Sequence, residues 1–175
     1  HGPVAAEVLA AAADADLMIM GRAGRALVGG RRLGSTARRM VLQRAGMTFI
    51  LTADLRSLAG PLTVLFDGSA AGLKALQIAA PLVEEEDDPR LTVVLVAEAR
   101  EEARELEGEA LRRLHGSPVT ADFRVRVRPG HKDLVWQIRT IGTGAVLLPC
   151  GRERLQGETL CSLVDEIPNP VLLVR

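Results

Sequence analysis

Tyrosine is absent, and Phe49, Phe66, Phe123 and Trp136 bring aromatic content to only 2% of 175 residues. That leaves no aromatic platform for base stacking, so a core must come from Leu, Val, Ile and Ala. Charge of one sign is missing too: Lys plus Arg and Asp plus Glu both number 22, for a net charge of zero. No global field draws the chain to nucleic acid or an anionic membrane, neither of which is expected as a partner, and any anion site must be local. Cysteine is sparse. Cys150 and Cys161 have neither zinc-ligand nor C-x-x-C spacing and read as buried free thiols, which implies a reducing cytoplasm. His1, His115 and His131 have no ligand spacing with one another or with the cysteines, so no metal site is expected. The longest apolar runs are too short for a bilayer, and the first residues do not form a charged region followed by a hydrophobic one. The expected location is cytoplasmic. The chain begins with His1 rather than Met, so residues are expected upstream.

What is present suits a packed globular protein: 47% hydrophobic and 25% charged residues. Residues 4–13 are Ala-rich and helix-favouring, and Leu17 to Met20 form a short apolar run ending at Gly21. Ser35 to Arg44 places Ala37, Met40 and Val41 at helical spacing, and a strand is predicted from Thr48 to Thr52. Ala53 to Gly60 has no strong periodicity and leads into Pro61, which marks a linker. Beyond it, strands at 62–66, 91–96, 122–127, 144–149 and 171–174 alternate with helices at 70–83, 100–114, 131–141 and 158–166. Runs that are apolar throughout, such as 91–96, suit a parallel sheet covered on both faces. The acidic run Glu84 to Asp88 reads as a solvated helix end, and Trp136, at helical spacing from Lys132 and Thr140, as a packing residue.

An internal repeat relates residues 2–52 to 130–174, matching Leu17–Met20 with Val146–Pro149 and Thr48–Leu51 with Val171–Val174. The first unit then shows only its last two strands and helices, and its first three strands would precede His1. The expected organisation is a partial unit over 1–56, a linker over 57–61 and a complete unit over 62–175.

Chemistry concentrates between Met20 and Thr36. In Gly21-x2-Gly24-x9-Gly34-Ser35-Thr36, Gly21 ends a strand and Ser35 opens a helix. Glycine lets backbone N–H groups approach an anion, and a helix N-terminus adds unsatisfied donors and partial positive charge. The Ser35 and Thr36 hydroxyls can donate as well, and Arg22, Arg25, Arg31 and Arg32 could screen phosphate charge. The alternative is that the glycines merely turn the chain. The pattern is neither a Walker A loop nor G-x-G-x-x-G.

The loop resembles the G-x2-G-x9-G-[ST] loop of the universal stress protein family, within the adenine nucleotide α-hydrolase-like superfamily. The segment A-D-L-M-I-M-G at 15–21 is similar to the family's strand into that loop, and T-V-L-F-D-G-S-A-A-G-L-K-A-L-Q-I-A at 63–79 is similar to its first strand and helix. The resemblance implies an α/β, Rossmann-like fold: a five-stranded parallel sheet with helices on both faces, plus a partial copy of the same unit. It also implies ATP or ADP as ligand. Met20, Gly21, Gly24, Gly34, Ser35 and Thr36 match the loop, and Asp67 matches a strand-one aspartate on the adenine side, although in the other repeat. Asp67 read alone could equally cap the helix near Ala70. Alignment of the final strands sets Gly21 and Gly34 against Cys150 and Gly157, shortening the second loop from twelve intervening residues to six. It also sets Glu158 against Ser35, turning a carboxylate toward the phosphates, so the second unit is expected not to bind ATP tightly.

Family tandems join their sheets through the last strands, so Thr48 to Thr52 is expected beside Val171 to Val174, antiparallel, and self-association through such edges is expected. No Ser/His/Asp order, paired carboxylates or G-x-S-x-G elbow around Ser69 identifies a catalytic group. The implied function is a stress-response regulatory protein for which ATP is a ligand. A dimerising scaffold without nucleotide, and a slow ATPase or autophosphorylating protein with Ser35 or Thr36 as acceptor, are the alternatives.

Overall fold

The computed structural model describes residues 4–22, 32–43, 46–51, 61–85, 89–142, 144–150, 155 and 157–175. Gly24, the arginines at 25 and 31, Arg44, Thr52 and most of the predicted linker lie outside these residues. Helices and strands follow in the order α1 (Val4–Ala11), β1 (Leu17–Gly21), α2 (Ser35–Gln43), β2 (Met47–Leu51), β3 (Leu62–Phe66), α3 (Ala70–Glu84), β4 (Arg90–Ala97) and α4 (Arg100–Leu114). The chain continues with β5 (Thr120–Val127), α5 (His131–Ile141), β6 (Val146–Pro149), α6 (Gly157–Glu166) and β7 (Val171–Val174).

Local chemistry accounts for several boundaries. Ser69 caps α3, its hydroxyl accepting from the Gly72 N–H at 3.1 Å. Asp133 reaches back from the first turn of α5 to accept from the Gly130 N–H at 2.8 Å. The central strands β3, β4 and β6 are buried almost throughout, as expected for strands covered on both faces.

The described strands form a single sheet in the order β1-β2-β7-β6-β3-β4-β5. Every neighbouring pair is parallel except β2 and β7, which run antiparallel with Thr48 opposite Leu173 and Ile50 opposite Val171. The sheet therefore has seven strands rather than the five expected for the complete unit. Strand β7 would otherwise end the five-stranded sheet with a row of unpaired backbone groups, and β2 satisfies them within the same chain.

Two cores flank the sheet. One gathers Ala37, Val41, Leu134, Ile138, Leu160 and Leu163 from α2, α5 and α6. The other gathers Ala75, Leu76, Ala79, Leu106, Ala110 and Leu114 from α3 and α4. The antiparallel junction fixes where sites can form. The carboxyl ends of β1 and β2 emerge on one edge of the sheet, and those of β3, β4, β5, β6 and β7 on the opposite edge.

Candidate functional site

At the carboxyl end of β1, Met20 is half-buried against the core under α2 and α6, and Gly21 is exposed and pairs with Leu51. The stems of the loop meet immediately afterwards: the Arg22 N–H donates to the Leu51 carbonyl at 3.0 Å, and the Gly34 N–H donates to the Arg22 carbonyl at 2.9 Å. The Gly34 carbonyl in turn accepts from the Arg38 N–H at 2.9 Å, which starts α2. Gly21, Gly34, Ser35 and Thr36 are thus brought together, with the first-turn amides of α2 set directly behind the end of β1.

Asp67 stands on the opposite edge, after β3, with three strands between β3 and β1. It is 3% exposed, and its Oδ1 accepts from the Ser69 N–H at 3.0 Å and the Ser69 hydroxyl at 2.6 Å. Asp67 therefore braces the residue that caps α3 and is not itself the cap. Gly72 completes this corner, because a Cβ there would sit 2.9 Å from Asp67 Oδ1 and 3.2 Å from the Phe66 ring. The fold does not bring Asp67 to the Gly21–Gly34 stems.

On Asp67's edge, between β6 and α6, lies the segment that aligns with the loop. Gly157 opens α6 with φ of 55°, a conformation that favours glycine. Leu155 is buried. A cavity of about 270 Å³ lies among Val96, Pro129, His131, Leu134, Leu155 and Thr159, and no lysine or arginine among the described residues lines it. Glu158 does not line this space, and its carboxylate pairs with Arg38 of α2. Cys150 follows β6, and loss of solvation on burial pushes its thiol up to about 11, against the opposing pull of Arg175.

No family model matches the chain, and no curated protein matches it. Solved structures do. A universal stress protein from Archaeoglobus fulgidus DSM 4304 superposes over 97% of this chain and 64% of its own, with a TM-score of 0.75 and 18% identity. The fold is that of the universal stress proteins. A second universal stress protein from Archaeoglobus fulgidus matches 67% of this chain and 95% of its own, with a TM-score of 0.52 and 17% identity. A protein from the universal stress protein family of Burkholderia pseudomallei matches 64% and 93%, with a TM-score of 0.50 and 22% identity. The present chain spans 64% of the length of the first of these structures.

Within this universal stress protein fold, the side chains that join the two parts of the sheet escaped the sequence reading. Arg22, one of four arginines that could have screened phosphate, turns inward. Its guanidinium is buried and donates to the Asp165 carbonyl at 3.4 Å and the Asn169 carbonyl at 3.1 Å, closing the end of α6. Arg175 does the same for α2, donating to the Val41 carbonyl and, at 3.3 Å, to the Gly46 carbonyl. Asn169 anchors the turn before β7 through its side-chain amide, which donates to the carbonyls of Gly142 at 2.9 Å and Gly144 at 2.8 Å. A weak signal existed for this seam: basic residues follow β1 and β7, where they can reach helix carboxyl ends. Trp136, read as a packing residue, is 61% exposed on the outer side of α5.

No helix among the described residues is long and apolar enough to cross a membrane, and none of their His, Cys, Asp and Glu side chains cluster in a metal-binding group.

Proposed function

We propose that this chain is a universal stress protein of tandem type, a stress-response regulator in which ATP or ADP acts as a ligand, not as the substrate of a fast reaction. Met20, Gly21, Gly24, Gly34, Ser35 and Thr36 form the phosphate side of the site. The observation that carries this reading is the closure of the stems, Gly34 N–H to Arg22 carbonyl at 2.9 Å, which seats the N-terminus of α2 behind the end of β1. The spacing Gly21-x2-Gly24-x9-Gly34-Ser35 supports it from the sequence. Residues 1–56 then belong to one unit and 62–175 to another, joined by 57–61. Two shorter universal stress protein structures, each matched over more than nine-tenths of its length by about two-thirds of this chain, support that division. The second unit is a poor nucleotide binder, since Leu155 fills its core and Glu158 is held by Arg38. Two free thiols fit a cytoplasmic protein.

Titration with a fluorescent ATP analogue tests the proposal. Gly34→Glu brings a carboxylate to the phosphates and should weaken binding about tenfold or more. Absence of binding to the unmodified protein, or equal affinity in the variant, refutes it.

A further inference from the structure

The carboxyl end of α6 and the turn into β7 belong to the complete unit, yet they hold both stems of the glycine loop in the other. Leu33, buried one residue before Gly34, donates its N–H to Asp165 Oδ1 at 2.5 Å. Arg22, at the opposite stem, is fixed by the carbonyls of Asp165 and Asn169. One turn into α2, Arg38 Nη1 lies 3.9 Å from Asp165 Oδ2 while its Nη2 pairs with Glu158. The support is itself rigid, because Asn169 is tied to Gly142 and Gly144.

This tie runs one way. The alignment that sets Gly34 against Gly157 sets Asp165 against Leu42, a side chain that cannot accept a hydrogen bond and is 41% exposed. The loop with full spacing receives a carboxylate from its neighbour, and the shortened loop receives nothing equivalent from Leu42.

We propose that Asp165 is a positioning residue: by fixing Leu33, it sets the direction of the α2 N-terminus. Anion binding in the first repeat then depends on the carboxyl end of α6 in the second. Asp165 acts through Leu33 and Arg38 without touching the nucleotide. The functional part of this inference rests on the phosphate-site reading of the loop.

Two readouts separate the inference from that reading. Hydrogen exchange of the Leu33 amide in nucleotide-free protein reports the stem directly, and titration with the fluorescent ATP analogue reports the site. Asp165→Asn keeps an acceptor and removes a charge, so Leu33 protection should persist and affinity should hold or rise. Asp165→Ala should lose about tenfold in Leu33 protection and about tenfold in affinity with the global melting transition retained. If Asp165→Ala does not fold, Asp165→Leu, carrying the residue of its counterpart, fills the space without an acceptor and takes its place. Unchanged Leu33 protection in the Ala or Leu variant overturns the inference. So does tighter binding in both the Asn variant and the Ala or Leu variant, which would mean that Asp165 acts only through its charge. If the unmodified protein binds no ATP, the phosphate reading fails alone, and the exchange arm still decides whether Asp165 sets the stem.

Discussion

Cys150 illustrates how burial governs chemistry at single residues here. Its thiol donates to the Leu148 carbonyl at 3.6 Å, and desolvation raises it from 9.0 to about 11. Cys161 is raised as well, by burial first, with Arg38 opposing. An acid whose pKa is raised by folding favours its protonated form in the native state, so this contribution is complete below pH 9 and lost as pH climbs through about 11. For Cys150 it is on the order of 2–3 kcal/mol. Urea unfolding at pH 8 and pH 10.5 should show a stability loss that shrinks in Cys150→Ala. Alkylation of the native protein at pH 8 should also be much slower than that of the unfolded chain. The same scale shows why some contacts were not legible in the sequence. Glu158 and Ser35 align in sequence, but the carboxylate's destination is set by Arg38, 120 positions away, and no local pattern records that. Asp67 read as a helix cap was close, since it supports the hydroxyl of Ser69 that makes the cap.

Among the elements, the edge strands β1 and β5 are the least covered, neither having a buried residue. Leu17 and Ile19, 42% and 59% exposed, share a sheet face with Met47, Phe49 and Leu51, to which they are register partners or neighbours. The other edge strand, β5, carries Asp122, Arg124 and Arg126, whose charges discourage further pairing. Strand β1 has no charged residue. Self-association, where it occurs, should therefore use β1, and Ile19→Lys should shift the protein toward monomer in sedimentation velocity at fixed concentration. An unchanged distribution would show that this strand is not the contact. Element identity was largely legible, because apolar runs of four to eight residues alternating with amphipathic stretches leave little choice. Boundaries moved by a residue or two, as at α3, which runs on to Glu84.

At the scale of the whole molecule, the seam between β2 and β7 combines a strand pair with two arginine clasps. Arg22 closes α6 at one edge of the sheet, and Arg175 closes α2 at the other. Removing Arg22 strands the carbonyls of Asp165 and Asn169, so Arg22→Ala should cost about 1–3 kcal/mol in urea unfolding. Arg175→Ala should cost a similar amount. Because the clasps sit at opposite ends of the strand pair, the double variant should match the sum within about 0.5 kcal/mol. A large departure would mean that the seam yields as one unit. The antiparallel junction was expected from the resemblance to tandem proteins, whereas the clasps were not, since an arginine's reach across the fold depends on the completed topology.

The junction also orders events in time. About 120 residues separate β2 from the strand that pairs with it. At a synthesis rate of roughly 5–20 residues per second, β2 would wait on the order of 6–24 s for β7 to be made. Through that interval its inner edge can meet any extended chain nearby, including another nascent copy on the same message. A holdase that recognises short apolar strands would have its greatest effect on this protein during that window, before Val171–Val174 leaves the ribosome.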